Sequence, residues 1–209
     1  TGLIADVPAI TKIVKDAGAL MVWDYAGGGP YLPINMRAAP GAEIDAIALS
    51  PHKFIGGPGA SGILIVRRDA VVTTRPVMPG GGSVTFVSST AHDYIDALEE
   101  REEAGTPDYI GDVRAALTFL VKDVVAPQDM MRRNAELVGK ATAAWRDVDG
   151  LEILGPLDVP RLPIFSFLIR DERGGYVSPQ LVPRILSDAF GIQARGGCAC
   201  AGPYALRLL

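Results

Sequence analysis

Cysteine is scarce in this chain of 209 residues, which holds only Cys198 and Cys200. With one residue between them, a bridge joining the two would be strained, so a disulfide framework is excluded. A reducing, cytoplasmic setting is expected instead. Histidine is equally rare, at His52 and His92. Zinc wants four ligands, or three and a water, and these few thiols and imidazoles do not suggest such a set; no metal centre is expected. Aromatic residues make up 7% and are dispersed, which argues against a base-stacking platform. The net charge is -4 with basic residues scattered, so nucleic acid is not an expected partner. No run of about 18 apolar residues occurs, so no membrane span is expected. The opening residues do not read as a signal peptide. What the chain does have is 48% hydrophobic residues. That is enough for a substantial core without disulfides, in one large domain or one and a half smaller ones.

Both ends read as interrupted. Thr1-Gly2-Leu3-Ile4 resembles the end of a strand with no element before it, and Leu206-Arg207-Leu208-Leu209 stops on apolar residues without a cap. A fragment of a longer protein is therefore expected. Within it, residues 7–17 alternate at helical spacing, with Asp6 as N-cap and Gly18 as the stop. Residues 19–23 read as a buried strand ending on Asp24, and residues 44–49 as the next. A third strand at 62–66 follows, and its short link from Lys53 permits an antiparallel neighbour. The order of helix and strand predicts an α/β fold with the strands at 19–23 and 44–49 parallel.

Residues 76–83 are rich in Gly and Pro and read as an extended loop. Residues 88–107 are acidic and polar and read as a solvated face. Helices are expected at 110–125 and 130–145, broken at Pro127. That break sets the expected domains: 1–126 and 127–209. The second has an α+β pattern: strands at 151–154 and 164–169, a helix at 179–190 between Ser178 and Gly191, and a short strand at 192–195.

Asp24 and Lys53 carry most of the chemistry. If the two strands are parallel, both residues emerge at one sheet edge, where open α/β sheets bind ligands. An acid at a strand end often caps a helix. Here Gly27-Gly28-Gly29-Pro30 intervenes, so the carboxylate needs another partner. A lysine imine and an acid facing a pyridinium nitrogen are the pair that pyridoxal phosphate (PLP) requires. Ser50 and His52, on the same turn as Lys53, supply a hydroxyl and an imidazole for a phosphate. Gly56-Gly57-Pro58-Gly59 lets backbone pass close to a ligand. The run Gly57-Pro58-Gly59-Ala60-Ser61-Gly62 matches the dinucleotide pattern, but it leads into a strand where that motif must open a helix, so it is read as a turn. Cys198 and Cys200 read either as reactive thiols in a mobile loop, with Arg195 favouring thiolate, or as two inert half-buried residues.

Taken in order, Asp24, Ser50-Pro51-His52-Lys53, Gly56-Gly57-Pro58-Gly59, Glu103-Ala104-Gly105-Thr106-Pro107 and the stretch from Arg195 to Pro203 resemble the class V aminotransferases, and within them the cysteine desulfurase branch. The likeness runs from about Asp6 to Pro203. It implies a PLP-transferase of fold type I: the later part of the large-domain mixed sheet, followed by an incomplete α+β small domain. By resemblance, Lys53 would bind PLP and move the α-proton, and Asp24 would pair with the pyridinium. Ser50 and His52 would hold the phosphate. Thr106 would reach the phosphate of the other subunit of a homodimer with shared sites. Cys200 would be the nucleophile that takes sulfur from a small amino acid, L-cysteine, for a possible acceptor protein. Arg195 would orient its loop.

The chain departs from the pattern in several places. Gly27 stands where desulfurases usually carry glutamine, the cysteine loop is Cys-x-Cys, and the upstream half of the large domain has no counterpart. The fragment alone is expected to be inactive. Aminotransfer or lyase chemistry on another amino acid, and a non-catalytic relative kept for dimerisation, are the alternative readings.

Overall fold

The computed structural model describes residues 2–198 and 202–208. The chain divides into two compact units, Ala5–Met131 and Arg132–Leu209 with Thr1–Ile4.

The first unit opens with α1 (Val7–Asp16), capped by Asp6, whose Oδ1 accepts from Ala9 N at 3.0 Å. Gly18 leaves the helix at φ 73°, a left-handed conformation that costs glycine little. Next come β1 (Val22–Asp24), β2 (Ala46–Leu49) and β3 (Ile63–Val66), forming one sheet in the order β1-β2-β3. β1 and β2 run parallel with Asp24 opposite Ala48, and β3 is antiparallel to β2 with Leu49 opposite Ile63. The sheet is thus mixed, as the short link after Lys53 allowed.

β2 is buried along its length because both faces are covered. Ile44, Ile47, Leu49, Tyr25 and Phe54 form the core, with Trp23, Ile63 and Phe119 packed against them. Two polar contacts tie α1 to this sheet. The indole N–H of Trp23 donates to the fully buried Thr11 hydroxyl at 2.8 Å. Asp45, 2% exposed, accepts from Lys15 Nζ at 2.8 Å and from Met21 N at 2.7 Å, with Arg67 at 3.3 Å. Burial alone would push the Asp45 carboxyl up, but these donors together hold it below the ordinary carboxylate range.

β4 (Val84–Val87) and β5 (His92–Tyr94) form an antiparallel hairpin that residue patterning did not reveal. The acidic run beyond it contains α2 (Leu98–Glu102). It is not wholly a solvated face: Arg101 is buried and donates to Thr73 O at 3.0 Å. α3 (Tyr109–Val124) starts at Asp108, whose Oδ1 caps Gly111 N at 3.0 Å. α4 (Pro127–Trp145) begins at the proline itself. Pro127 breaks the chain by opening a helix, where its missing N–H costs nothing.

In the second unit β6 (Leu151–Ile153) pairs antiparallel with β7 (Phe167–Ile169). α5 (Leu181–Phe190) ends at Gly191 in the left-handed conformation, φ 65°. Residues 192–195 do not form a strand. Ile192 N donates to Leu186 O of α5 at 2.9 Å instead, and among the described residues no strand pairs with this stretch. α6 (Gly202–Leu208) starts at Gly202-Pro203, so these residues open a helix where a mobile loop was expected. Among the described residues no helix is long and apolar enough to cross a membrane.

Candidate functional site

The parallel pairing of β1 and β2 brings their C-terminal ends to one edge. Asp24 closes β1, and the 3-10 turn Pro51–Lys53 follows β2 after Ser50. The two groups predicted to grip one ligand therefore leave the same rim of adjacent strands.

The loop after Asp24 is built by short backbone contacts. Asp24 Oδ1 accepts from Ala26 N at 2.7 Å, which turns the chain without a helix. Gly29 N donates to Tyr25 O at 2.7 Å, and Tyr25 N donates to Ala48 O at 2.9 Å. A Cβ on Gly29 would stand 2.7 Å from Tyr25 O and 3.2 Å from both Leu49 Cδ2 and Phe54 Cζ, so only glycine fits. Asp24 remains exposed, and its Oδ2 has no hydrogen-bond partner among the described residues. Burial raises the Tyr25 phenol above its ordinary range, so it stays protonated at neutral pH.

The turn after β2 is anchored from below and open above. Lys53 N donates to Ser50 O and Phe54 N to Pro51 O, each at 2.9 Å. Pro51 and Phe54 are buried, and the Phe54 ring lies 5.2 Å from that of Phe119. His52 and Lys53, on the same turn, are exposed. The Ser50 hydroxyl, the His52 ring and Lys53 Nζ have no hydrogen-bond partner among the described residues. Gly57 lies beneath the turn: a Cβ there would fall 2.0 Å from Pro51 O. The glycine run leads into β3, not into a helix, as expected for a turn rather than a dinucleotide loop.

α3 docks on this loop at its first turn. Ser61 N donates to Gly111 O at 3.1 Å, and Arg114 reaches Pro58 O at 3.5 Å. Thr106 is exposed in the segment that enters α3, just beyond Gly105, whose N–H donates to Gly81 O at 2.7 Å.

One residue at this edge escaped the sequence reading. Lys122, on α3, donates to Gly29 O at 2.6 Å and Leu32 O at 2.8 Å, with its ammonium 5.5 Å from the Phe54 ring centroid. Burial pulls its pKa below the ordinary lysine range. Its partners lie far back along the chain, and no local pattern announces them.

In the second unit, Arg195 and Cys198 are exposed. Cys200 lies outside the described residues. The segment before the cysteines packs on the start of α5: a Cβ on Gly196 would meet Pro179 O at 2.0 Å. Beside it is a cavity of about 480 Å³ lined by residues that include Leu154, Phe165, Phe167, Val182 and Arg195.

The family model for aminotransferase class-V matches residues 1–208. A protein of Aeropyrum pernix named "Probable cysteine desulfurase" is 39% identical over 96% of this chain and 48% of its own length. A Mycobacterium leprae protein named "Probable cysteine desulfurase 2" is 30% identical over 97% of this chain and 46% of its own. Among solved structures, the apo cysteine desulfurase of Thermococcus onnurineus NA1 superposes with a TM-score of 0.83 at 28% identity, over 99% of this chain and 49% of that one. The chain spans about half the length of the curated relatives it matches.

Proposed function

Because the chain belongs to the class V aminotransferase family, we propose that it carries one half of a PLP site acting on a small amino acid, with cysteine desulfuration as its reaction. The observation that carries the reading is the common edge of Asp24 and the Ser50–Lys53 turn on adjacent parallel strands.

The donor set fits the group. A carboxylate with a free oxygen suits the ring nitrogen, an exposed amine suits the aldehyde carbon, and a hydroxyl and an imidazole suit the phosphate. Bound PLP supplies an electron sink for bonds broken at a substrate's Cα. Asp24 would hold negative charge at the ring nitrogen and keep it protonated. Ser50 and His52 would donate to phosphate oxygens, and Lys53 would hold the aldehyde carbon and then carry the α-proton. Thr106 would reach the phosphate held by the second subunit of a homodimer. Cys200 Sγ would attack the substrate sulfur: an S–S bond forms, the C–S bond breaks, and the carbon skeleton takes a proton and leaves as alanine. Arg195 would orient that loop, and an acceptor protein would collect the persulfide sulfur. Two cysteines one residue apart, a spacing that would strain a bridge between them, suit a reducing, cytoplasmic setting. The domains would divide this work: residues 1–126 as the PLP-binding half and 127–209 as the unit presenting the cysteines.

The test is the full-length protein titrated with PLP. A visible absorbance band that disappears in Lys53→Ala is expected, and a band that survives that change would refute the lysine's role. With a thiol reductant present to release the persulfide sulfur, cysteine should then yield alanine and sulfide, and Cys200→Ala should stop it. A second reading keeps the PLP chemistry without sulfur transfer, as an aminotransferase or lyase on another amino acid. It is favoured by Gly27, which offers no side-chain donor beside Asp24, and by the exposed second thiol of Cys198. A full-length protein that binds PLP but yields no alanine or sulfide from cysteine would select it, and unchanged production in Cys200→Ala would remove Cys200 as the nucleophile. A protein that stays colourless yet self-associates would instead be a non-catalytic relative.

A further inference from the structure

Lys122 joins the two segments that matter most. Its ammonium lies between the carbonyls of Gly29 and Leu32 and the face of Phe54. Gly29 belongs to the loop that starts from the Asp24–Ala26 turn, and its Cα side is packed so closely against Tyr25, Leu49 and Phe54 that a Cβ would not fit. Phe54 is the residue after Lys53 and closes its 3-10 turn. No carboxylate forms an ion pair with Lys122 among the described residues. A half-buried cation held by carbonyls and a ring gives up hydration with only the Coulombic pull of neighbouring Asp123 to offset it, which favours a geometric role over a purely stabilising one.

We propose that Lys122 is a positioning residue: it fixes the loop that follows Asp24 against the turn that carries Lys53, and so steadies the aim of the two groups that would hold PLP. This inference rests on the PLP reading above. The β1–β2 pairing holds the Asp24 backbone, but its carboxylate is turned by Ala26 N at the start of that loop, so a loop closed only by its own backbone bonds would leave the carboxylate less firmly aimed. The ammonium spans that gap, donating to one segment while its charge faces the ring of the other. Lysine suits the place, since a compact ammonium on a flexible stem can serve two carbonyls that face different ways.

The experiment compares full-length wild type, Lys122→Met and Lys122→Arg, with PLP as the probe. Methionine keeps an unbranched stem of similar bulk and removes the donors. Losing charge-assisted hydrogen bonds of this kind should weaken PLP binding about tenfold. The visible circular dichroism per bound PLP should fall as well, because that signal reports how firmly the ring is oriented, and Lys122→Arg should recover part of both. Without PLP, amide exchange at Tyr31 and Leu32, which both donate to Gly28 O, should quicken in Lys122→Met. A lower melting temperature with unchanged PLP affinity and unchanged dichroism per bound PLP would mean a merely structural lysine and would overturn the inference alone. A wild type that takes up no PLP would overturn both the inference and the reading beneath it. If Lys122→Met fails to fold, Lys122→Gln, whose amide is neutral and one bond shorter, is compared in the same way; weaker binding and weaker dichroism are expected, and equal affinity and dichroism would show that the charged ammonium serving both carbonyls is not needed and so defeat the proposal.

Discussion

Asp24 pairs in register with Ala48, so the last residue of β1 lies level with the end of β2, just before the turn that carries Lys53. This parallel register puts an acid and an amine on one rim, and a slip by one residue would turn the Asp24 side chain to the opposite face. Asp24→Asn keeps the shape and the acceptor to Ala26 N while removing the charge. In the full-length protein, PLP affinity should fall about 10- to 100-fold, the range for losing a charge-assisted hydrogen bond. Equilibrium titration by absorbance measures it.

Asp45 makes an acid limb in the stability curve. Its carboxyl is held below the ordinary range by Lys15, Met21 N and Arg67 against the cost of burial. A lowered native pKa means that its contribution is whole above about pH 4, the unfolded value, and drains away as the pH falls through the native one. Asp45→Asn should cost about 2–3 kcal/mol at neutral pH, below the full figure for a broken buried pair because Lys15 and Arg67 keep access to water. The variant's stability should also vary less with pH in the acid range. Urea titrations at neutral pH and at pH values below 4 test both.

Gly57→Ala tests how tightly the lysine turn is seated. Its Cβ would meet Pro51 O at 2.0 Å and Phe54 O at 3.0 Å, both backbone atoms that cannot swing aside. A loss of about 1–3 kcal/mol is expected from overpacking, with weaker PLP binding because Lys53 shares the displaced turn. An alanine variant of wild-type stability and PLP affinity would contradict this account.

Thr11→Val removes the acceptor for the Trp23 indole N–H and little else. The N–H would be left buried without a partner, at a cost of about 1–3 kcal/mol. Denaturant midpoints followed by tryptophan fluorescence give the number.

The sheet at the site was legible because β2 is a continuous apolar run and β3 another, each bounded by turn residues. The shared edge was legible from where the runs of β1 and β2 stop, at Asp24 and before Lys53. The β4–β5 hairpin was not legible: its strands are short and largely exposed, His92-Asp93-Tyr94 is polar, and the pairing shifts register between Val84 and Phe86. Nor could composition reveal that Arg101 is buried in the acidic run, since its partner, Thr73 O, comes from distant chain. Residues 192–195 have strand-like composition, yet a strand exists only where backbone partners are in reach. Lys122 was missed for a related reason, because both carbonyls it serves lie on a loop that only the tertiary fold brings to α3.

The reversal of β3 against β2 has an evolutionary consequence. A chain that leaves a rim and returns antiparallel must come back to that same rim, so residues 54–62 both start and finish beside Lys53. Insertions tolerated there would grow into a flap over the ligand side and leave the far end of the sheet untouched. That connection is where descendants of this protein could change which molecules gain entry without rebuilding the groups that react with them.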